Sequence, residues 1–310
     1  MYKYQNISIG EVIPSICDGK YPYSICVASP KTTKYNTPRS PNILYHYTGI
    51  DAFKKIVSSK IFFLSSLFDT NDRREMIWLL KLVEEEIRQR IGNVFLEIVL
   101  ETLKTFLYKP YYASFSELKD DLNQWVKYGD RGRGISIGFS SKKFPFSRKL
   151  PLIGMLFDAS EAVSLLKIDY AEKRMRKEIN NILDNVVKKR ISPSNAAFCI
   201  SKMSFTCKHY DWASEKEWRI VCVPIAWGNE NFLDLKLGQE QKISSPEEIV
   251  TTCGEKKEIC KMNFQPTDIA EIIIGPKSPI KKQEMEDFLK AQGYDIENIT
   301  KVYCSNSSLR

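Results

Sequence analysis

Apolar residues first gather into a strand-like run at Ile43 to Tyr47, behind a stretch whose prolines at 14, 22, 30, 38 and 41 stand too close together for long helices. Residues 1 to 41 therefore read as an irregular N-terminal arm, and 42 to 310 as a single α+β domain. From Asp51 the period changes, because Phe53, Ile56 and Val57 recur at helical spacing until Lys60. A second strand, Ile61 to Leu64, follows. The polar run Asp69, Thr70, Asn71, Asp72 offers Asn71 or Asp72 as the cap of an amphipathic helix over about 73 to 91, and Gly92 separates that helix from another over about 94 to 107.

Beyond this helical insertion the strand pattern returns at Tyr111 to Phe115. A short helix, Leu122 to Tyr128, and the glycines at 129, 132 and 134 turn the chain into the strand Ile135 to Phe139. Leu165 to Tyr170 reads as a strand, Glu172 to Arg190 as a long basic amphipathic helix and Pro193 to Met203 as a second helix. Trp218 to Pro224 alternates as a strand should, and Ile272, Ile273 and Ile274, closed by Gly275 and Pro276, suit a strand buried on both faces. A last helix spans about 280 to 292, with a further strand near Ile299 to Tyr303. The order predicts a mixed or split central β-sheet with helical insertions at about 73–107 and 172–203.

A length of 310 residues with 43% hydrophobic content is enough for a sizeable core. The richest apolar stretch is broken by Lys81 and by Glu84, Glu85 and Glu86, and the first residues hold no apolar run of signal-peptide type, so a cytoplasmic chain without a membrane span is expected. Eight cysteines without a CxxC pair read as reduced thiols, and with only two histidines they form no four-ligand set, so no metal is expected. The formal charge of +8 is concentrated in Lys142, Lys143, Arg148, Lys149, Arg174, Arg176, Lys177, Lys188, Lys189 and Arg190. The basic helix 172–190 is thus either a phosphate-backbone contact or a solvated helix face.

Two segments carry candidate chemistry. His46 stands in a strand between Tyr45 and Tyr47, just before a turn. An imidazole there can present one nitrogen to a ligand while backbone fixes the other; alternatively it is a half-buried histidine satisfied by backbone carbonyls. In the second segment, strand alternation puts Glu215, Glu217 and Arg219 on one exposed face or cleft and Trp218, Ile220 and Cys222 in the core. Arg219 beside Glu217 keeps the carboxylate ionised. The plainer reading of that segment is a surface salt-bridge ladder. Trp125 and Tyr128, at i and i+3, form either a stacking surface or core. The glycines at 129, 132, 134 and 138 lack the Lys, Ser or Thr of a phosphate-binding loop.

Taken in order, these motifs resemble an uncharacterised, mostly bacterial family, domain of unknown function 2971. They are Tyr45, His46, Tyr47, Thr48; Phe68 to Asp72; Phe115, Ser116, Trp125 and Tyr128; Gly134 to Phe139; and Trp212, Glu215, Glu217, Trp218, Arg219, over roughly residues 42 to 280. A strand bearing His and Thr, a helix, and a later strand opening with Glu, any residue, Glu also resembles the ADP-ribosyltransferase fold, including its branch that modifies nucleic acid.

That second resemblance implies NAD as co-substrate. His46 would hold a ribose hydroxyl, with Tyr47 and Thr48 beside it as cofactor-binding residues, Trp125 or Tyr128 would stack near the nicotinamide, and Arg219 would meet the pyrophosphate. Glu217 would stabilise an oxocarbenium-like transition state, with Glu215 orienting the acceptor. The first expectation is therefore an NAD-consuming transferase or glycohydrolase acting on nucleic acid or another macromolecule, with anti-phage defence as the role to test. The competing expectations are a nuclease or phosphotransferase in which His46 and Glu217 act on a phosphate ester, and a module that binds a nucleotide or nucleic acid without turnover.

Overall fold

The computed structural model describes residues 39–66, 73–90, 96–97, 110–144, 146, 162–203, 206–223, 235–237, 241–251 and 253–308. The arm expected over 1–41 lies outside them up to residue 38, as do the turn Phe68 to Asp72 and most of the helix expected over 94–107. The chain divides into two compact units, one helical, within Arg74–Phe106 and Lys173–Ser204, and one built on a sheet, within Asn36–Arg73, Leu107–Glu172 and Phe205–Arg310.

The sheet unit contains twelve described strands, β1 (Ile43–Thr48), β2 (Ile61–Ser66), β3 (Tyr111–Ser116), β4 (Ile135–Ser140), β5 (Val163–Lys167), β6 (Glu217–Cys222), β7 (Leu235–Leu237), β8 (Gln241–Ile243), β9 (Glu247–Val250), β10 (Lys256–Asn263), β11 (Ile269–Ile274) and β12 (Lys301–Cys304). They run in the order β12-β11-β4-β1-β3-β2-β10-β8-β7, with β6 and then β5 branching from β3 and β9 from β10. The sheet is mixed, because β11 and β12 are parallel while β4 meets β1 and β11 antiparallel. The expectation of an α+β fold with a mixed central sheet holds.

One strand shapes the rest. β3 pairs with β6 along its whole length, from Tyr111↔Cys222 to Ser116↔Glu217. Its other edge is shared: β2 takes the Tyr111–Tyr112 end and β1 the Ser116 end. The sheet forks between them.

Alternation gives the two faces different characters. Leu44, Phe62, Phe115, Ile137, Phe139, Trp218 and Ile220 occupy one face and form the main core. Phe62 stacks on Phe115 with ring centroids 5.4 Å apart, and Phe139 meets both edge-on. The other face carries Tyr45, Tyr47, Ser114, Ser116, Glu217 and Arg219 in register across β1, β3 and β6. Helix α1 (Ile50–Ser59) buries Phe53 and Val57 in the main core and ends at Lys60, whose left-handed φ of 55° reverses the chain into β2.

β10 is the largest element that the hydrophobic pattern misses. Its sequence KKEICKMN alternates imperfectly and is rich in lysine, yet Cys260 and Met262 lie buried and the strand pairs with β2 from Ile259↔Ser65 to Asn263↔Ile61. Pairing partner and burial, rather than propensity, make it a strand.

In the helical unit, α2 (Arg73–Arg90), α4 (Glu172–Val187) and α5 (Pro193–Met203) are the described elements. α4 buries Met175, Ile179, Ile182 and Leu183 on one stripe at i, i+4, i+7 and i+8. Arg176 turns to Glu85 at 2.8 Å and Glu86 at 2.9 Å, and Arg90 meets Asp184 at 2.6 Å. Lys173, Arg174, Lys177, Lys188, Lys189 and Arg190 stay exposed. Among the described residues no helix is long and apolar enough to cross a membrane. None of the six described cysteines is in a disulfide.

Candidate functional site

The polar face of β1, β3 and β6 is covered by two short elements. Helix α3 (Leu122–Lys127) starts at Asp121, whose carboxylate accepts the Gln124 amide at 3.1 Å as an N-cap. The 3-10 turn Tyr210–Glu215 leads into β6. Gln124 ties the two together by donating its side-chain amide to the Glu215 carbonyl at 3.3 Å.

Between the two carboxylates stands Lys216, with a left-handed φ of 45°. In a regular strand, side chains at i and i+2 are roughly 6.5 Å apart and parallel. The reversal at Lys216 instead lets both carboxylates reach one ammonium: Lys208 Nζ lies 2.9 Å from Glu215 Oε2 and 3.2 Å from Glu217 Oε2. Lys208 is itself placed by backbone, its amide donating to the Asp169 carbonyl at 3.0 Å beside the Asp169↔Cys207 bridge.

Glu217 is fully engaged. Arg219 Nε and Ser114 Oγ each donate to its Oε1 at 2.6 Å, and Lys208 and Arg219 Nη2 reach Oε2 at 3.2 Å. Its backbone amide donates to Tyr170 Oη at 3.0 Å. Burial pushes its carboxyl pKa up, but the charges of Arg219 and Lys208, with the hydrogen bonds from Arg219 and Ser114, outweigh that and hold it at about 2. The Arg219 guanidinium lies over the Tyr112 ring, 4.5 Å from its centroid.

Glu215 takes Tyr128 Oη at 2.6 Å and Lys127 Nζ at 3.2 Å on Oε1. Burial, with Glu215 as the acceptor, raises the Tyr128 phenol and keeps it protonated as a donor. Both carboxylates are buried, at 4% and 5% exposure, and Arg219 is at 0%. This corrects the exposed strand face expected from alternation: Glu215 ends a 3-10 turn instead of starting the strand, and the turn and α3 cover the ladder. The cluster holds two carboxylates against three cations, Lys127, Lys208 and Arg219.

The structure brings Glu215, Glu217, Arg219 and Tyr128 together, and separates His46 from them. With Tyr45 opposite Ser116 and Ser116 opposite Glu217, His46 and Thr48 fall on the opposite face of the sheet. There the imidazole packs edge-on to Phe62 at 4.6 Å and to Phe115 at 5.9 Å. Its Nδ1 lies 3.0 Å from the Ser114 carbonyl, where β1 and β2 part and the backbone ladder is interrupted. A carbonyl only accepts, so Nδ1 carries the proton. Burial lowers the imidazole pKa, against the raising effect of that hydrogen bond. His46 closes the fork, which is the backbone-satisfied alternative weighed above.

Tyr47 and Trp125 do share the polar face, but as packing. Trp125 is wholly buried, donates Nε1 to Asp120 at 2.6 Å and meets Tyr47 edge-on at 4.8 Å. It offers no ring face to a ligand. Tyr47 donates its hydroxyl to the Leu118 carbonyl at 2.7 Å and accepts the Asp121 amide. The glycine loop spends its amides internally, with Gly132 and Gly134 both donating to the Gly129 carbonyl and Gly275 donating to Gly134. A Cβ on Gly134 would stand 2.1 Å from the Thr48 carbonyl, so close packing explains that glycine.

Lys127, Lys208 and Ser114 are participants absent from the sequence reading. Ser114 and Ser116 flank Phe115 at period two, a legible sign of a polar face. Lys208 had no local signal, since only tertiary structure carries it to the carboxylates.

No curated protein and no solved structure matches the chain. A match exists at the level of families, with the group described as "Protein of unknown function (DUF2971)", and it spans α3, the glycine loop, β4 and the cluster through to β6. Residues 124–220 are thus similar to this family, whose resemblance the motifs suggested over a longer stretch.

Proposed function

We propose that the chain is an ADP-ribosyltransferase-like enzyme that cleaves the glycosidic bond of NAD, as a transferase or glycohydrolase, with Glu217 as its essential carboxylate. The observation that carries this reading is the state of Glu217, buried, held rigidly from both oxygens and kept ionised by Arg219 and Lys208. Departure of nicotinamide leaves positive charge on the ribose, and a fixed anion in a water-poor site stabilises it without reorganisation. For Glu217 to engage a ribose hydroxyl, Ser114 Oγ rotates away from Oε1 and the covering Tyr210–Glu215 turn gives way to admit the substrate. Three cations against two carboxylates leave one net positive charge for the donor's pyrophosphate.

His46 and Trp125 have no contact with substrate in this scheme. Tyr128, 43% exposed and bonded to Glu215, is the aromatic residue at the edge of the site. The test is incubation with NAD, alone and with single-stranded oligonucleotide acceptors, and quantitation of free nicotinamide. Release above the spontaneous rate, and its loss on changing Glu217, supports the reading.

A second reading, nucleotide binding without turnover, is favoured by one feature. Arg219 and Lys208 already pair with the Glu217 carboxylate, which leaves it little charge for a developing cation. Saturable nucleotide binding with no nicotinamide release under any of these conditions would select it.

A further inference from the structure

The rim of the cluster carries further aromatic and basic side chains, Trp212 and Tyr210 among them, around the lysines that hold Glu215 and Glu217. Trp212, half-buried in the 3-10 turn, has Lys127 Nζ 4.3 Å and Lys208 Nζ 4.9 Å from its ring centroid. Beside it Tyr210 is 59% exposed, and Tyr128, at the end of α3, is 43% exposed. Lys127, Lys216, Arg131 and Arg133 are exposed at the end of α3, in the loop that follows it and beside the turn. Asp211, on the same turn, is held against His209 at 3.2 Å.

Resting on the reading of the Glu215–Glu217 cluster as a nucleotide site, we propose that this rim is a subsite for a nucleotide unit. Trp212 takes the base on its ring and Lys127 meets the phosphate. Rings left partly in water gain by stacking on a planar partner, and the positive surroundings repel a cationic guest of the kind that aromatic cages hold. An acidic peptide would satisfy the lysines but has no flat ring for Trp212. A nucleotide satisfies both. On binding, the base replaces the Lys127 ammonium over the indole, and the ammonium moves to the phosphate.

The nucleotide can be free or part of a single strand, so the test has both arms. Binding of AMP, of adenosine and of a fluorescent single-stranded oligonucleotide is measured by calorimetry or anisotropy, with wild type and the Trp212→Ala, Trp212→Phe and Lys127→Ala variants. Base stacking of this kind corresponds to a loss of roughly 10-fold or more in Trp212→Ala, with Trp212→Phe largely retaining affinity. Lys127→Ala weakens AMP and flattens its salt dependence while leaving adenosine nearly unchanged. AMP binding assigns the subsite to free nucleotides, and binding of the oligonucleotide alone assigns it to a strand.

Affinity unchanged in Trp212→Ala, or no binding of any probe, overturns the proposal. These outcomes separate from those of the enzymatic reading. Binding intact without nicotinamide release sinks only the enzyme, and release with unaltered affinity for AMP and for the oligonucleotide in Trp212→Ala sinks only the subsite.

Discussion

Replacing Lys208 with Met tests how the acidic pair is held. The ammonium is buried, at 2% exposure, and serves Glu215 at 2.9 Å and Glu217 at 3.2 Å. Removing one partner of a buried ion pair leaves an uncompensated charge and costs about 3–5 kcal/mol. Arg219 remains on Glu217 and Lys127 on Glu215, so the loss belongs at the lower end, about 3 kcal/mol. The acid limb carries the same information. A carboxyl lowered from 4.5 to about 2 contributes roughly 3 kcal/mol. Because the folded-state pKa is depressed, that stability is fully present above the unfolded value of 4.5 and is lost as pH falls through 4.5 towards 2.

In Lys208→Met the Glu217 pKa rises, so stability at pH 7 drops and the slope between pH 5 and 3 flattens. Urea unfolding across that range, at constant ionic strength, reads both effects. Adding Glu215→Gln to Lys208→Met should restore about 1–2 kcal/mol, because it removes one of the two buried anions that lose the ammonium. A Lys208→Met loss below about 1 kcal/mol at pH 7, or an acid slope identical to that of wild type, would refute the electrostatic account.

His46→Phe keeps the aromatic packing but orphans the Ser114 carbonyl, and should cost about 1–2 kcal/mol at pH 8 in a denaturation experiment. A buried imidazole with a lowered pKa makes wild type lose stability as pH falls below its ordinary 6.5, since the unfolded chain takes up the proton first. The variant should lack that component. Gly134→Ala drives a Cβ to 2.1 Å from the Thr48 carbonyl, and should lower stability by about 3 kcal/mol or prevent soluble expression. Lys216→Gly relieves a left-handed residue at φ 45° and should change stability by less than about 1 kcal/mol, in the stabilising direction, by thermal denaturation.

The strands bearing the site were legible because their alternation is clean. Ile43 to Thr48 and Glu217 to Cys222 form where hydrophobic period and aromatic content both say strand. Which face each residue occupies was legible only within one strand. That Glu217 and His46 are divided by the sheet depends on the register Tyr45↔Ser116↔Glu217, which no local pattern encodes.

Burial was the second thing hidden. Glu217 and Arg219 look like surface residues by type, and become interior because α3 and the Tyr210–Glu215 turn close over them. The left-handed Lys216 that converges the carboxylates was unreadable, since lysine gives no warning of positive φ. For Trp125 the sequence left a stacking surface and core both open, and the structure decides for core. Its indole packs into the covered face and its N–H is bonded to Asp120.

The central claim is that the Glu217 carboxylate acts on a glycosidic bond, and Glu217→Asp isolates it. The substitution keeps the negative charge facing Arg219 and Lys208, and so the fold, while withdrawing the carboxylate by about 1.5 Å, a displacement that costs on the order of 100-fold in rate when the group touches the reacting centre. Nicotinamide release from NAD is measured under single-turnover conditions for wild type and variant, with circular dichroism and urea midpoints confirming matched folds. The account predicts release by wild type and a fall of about 100-fold or more in the folded variant. Equal rates in the two proteins, or no release by wild type with any acceptor, would contradict it.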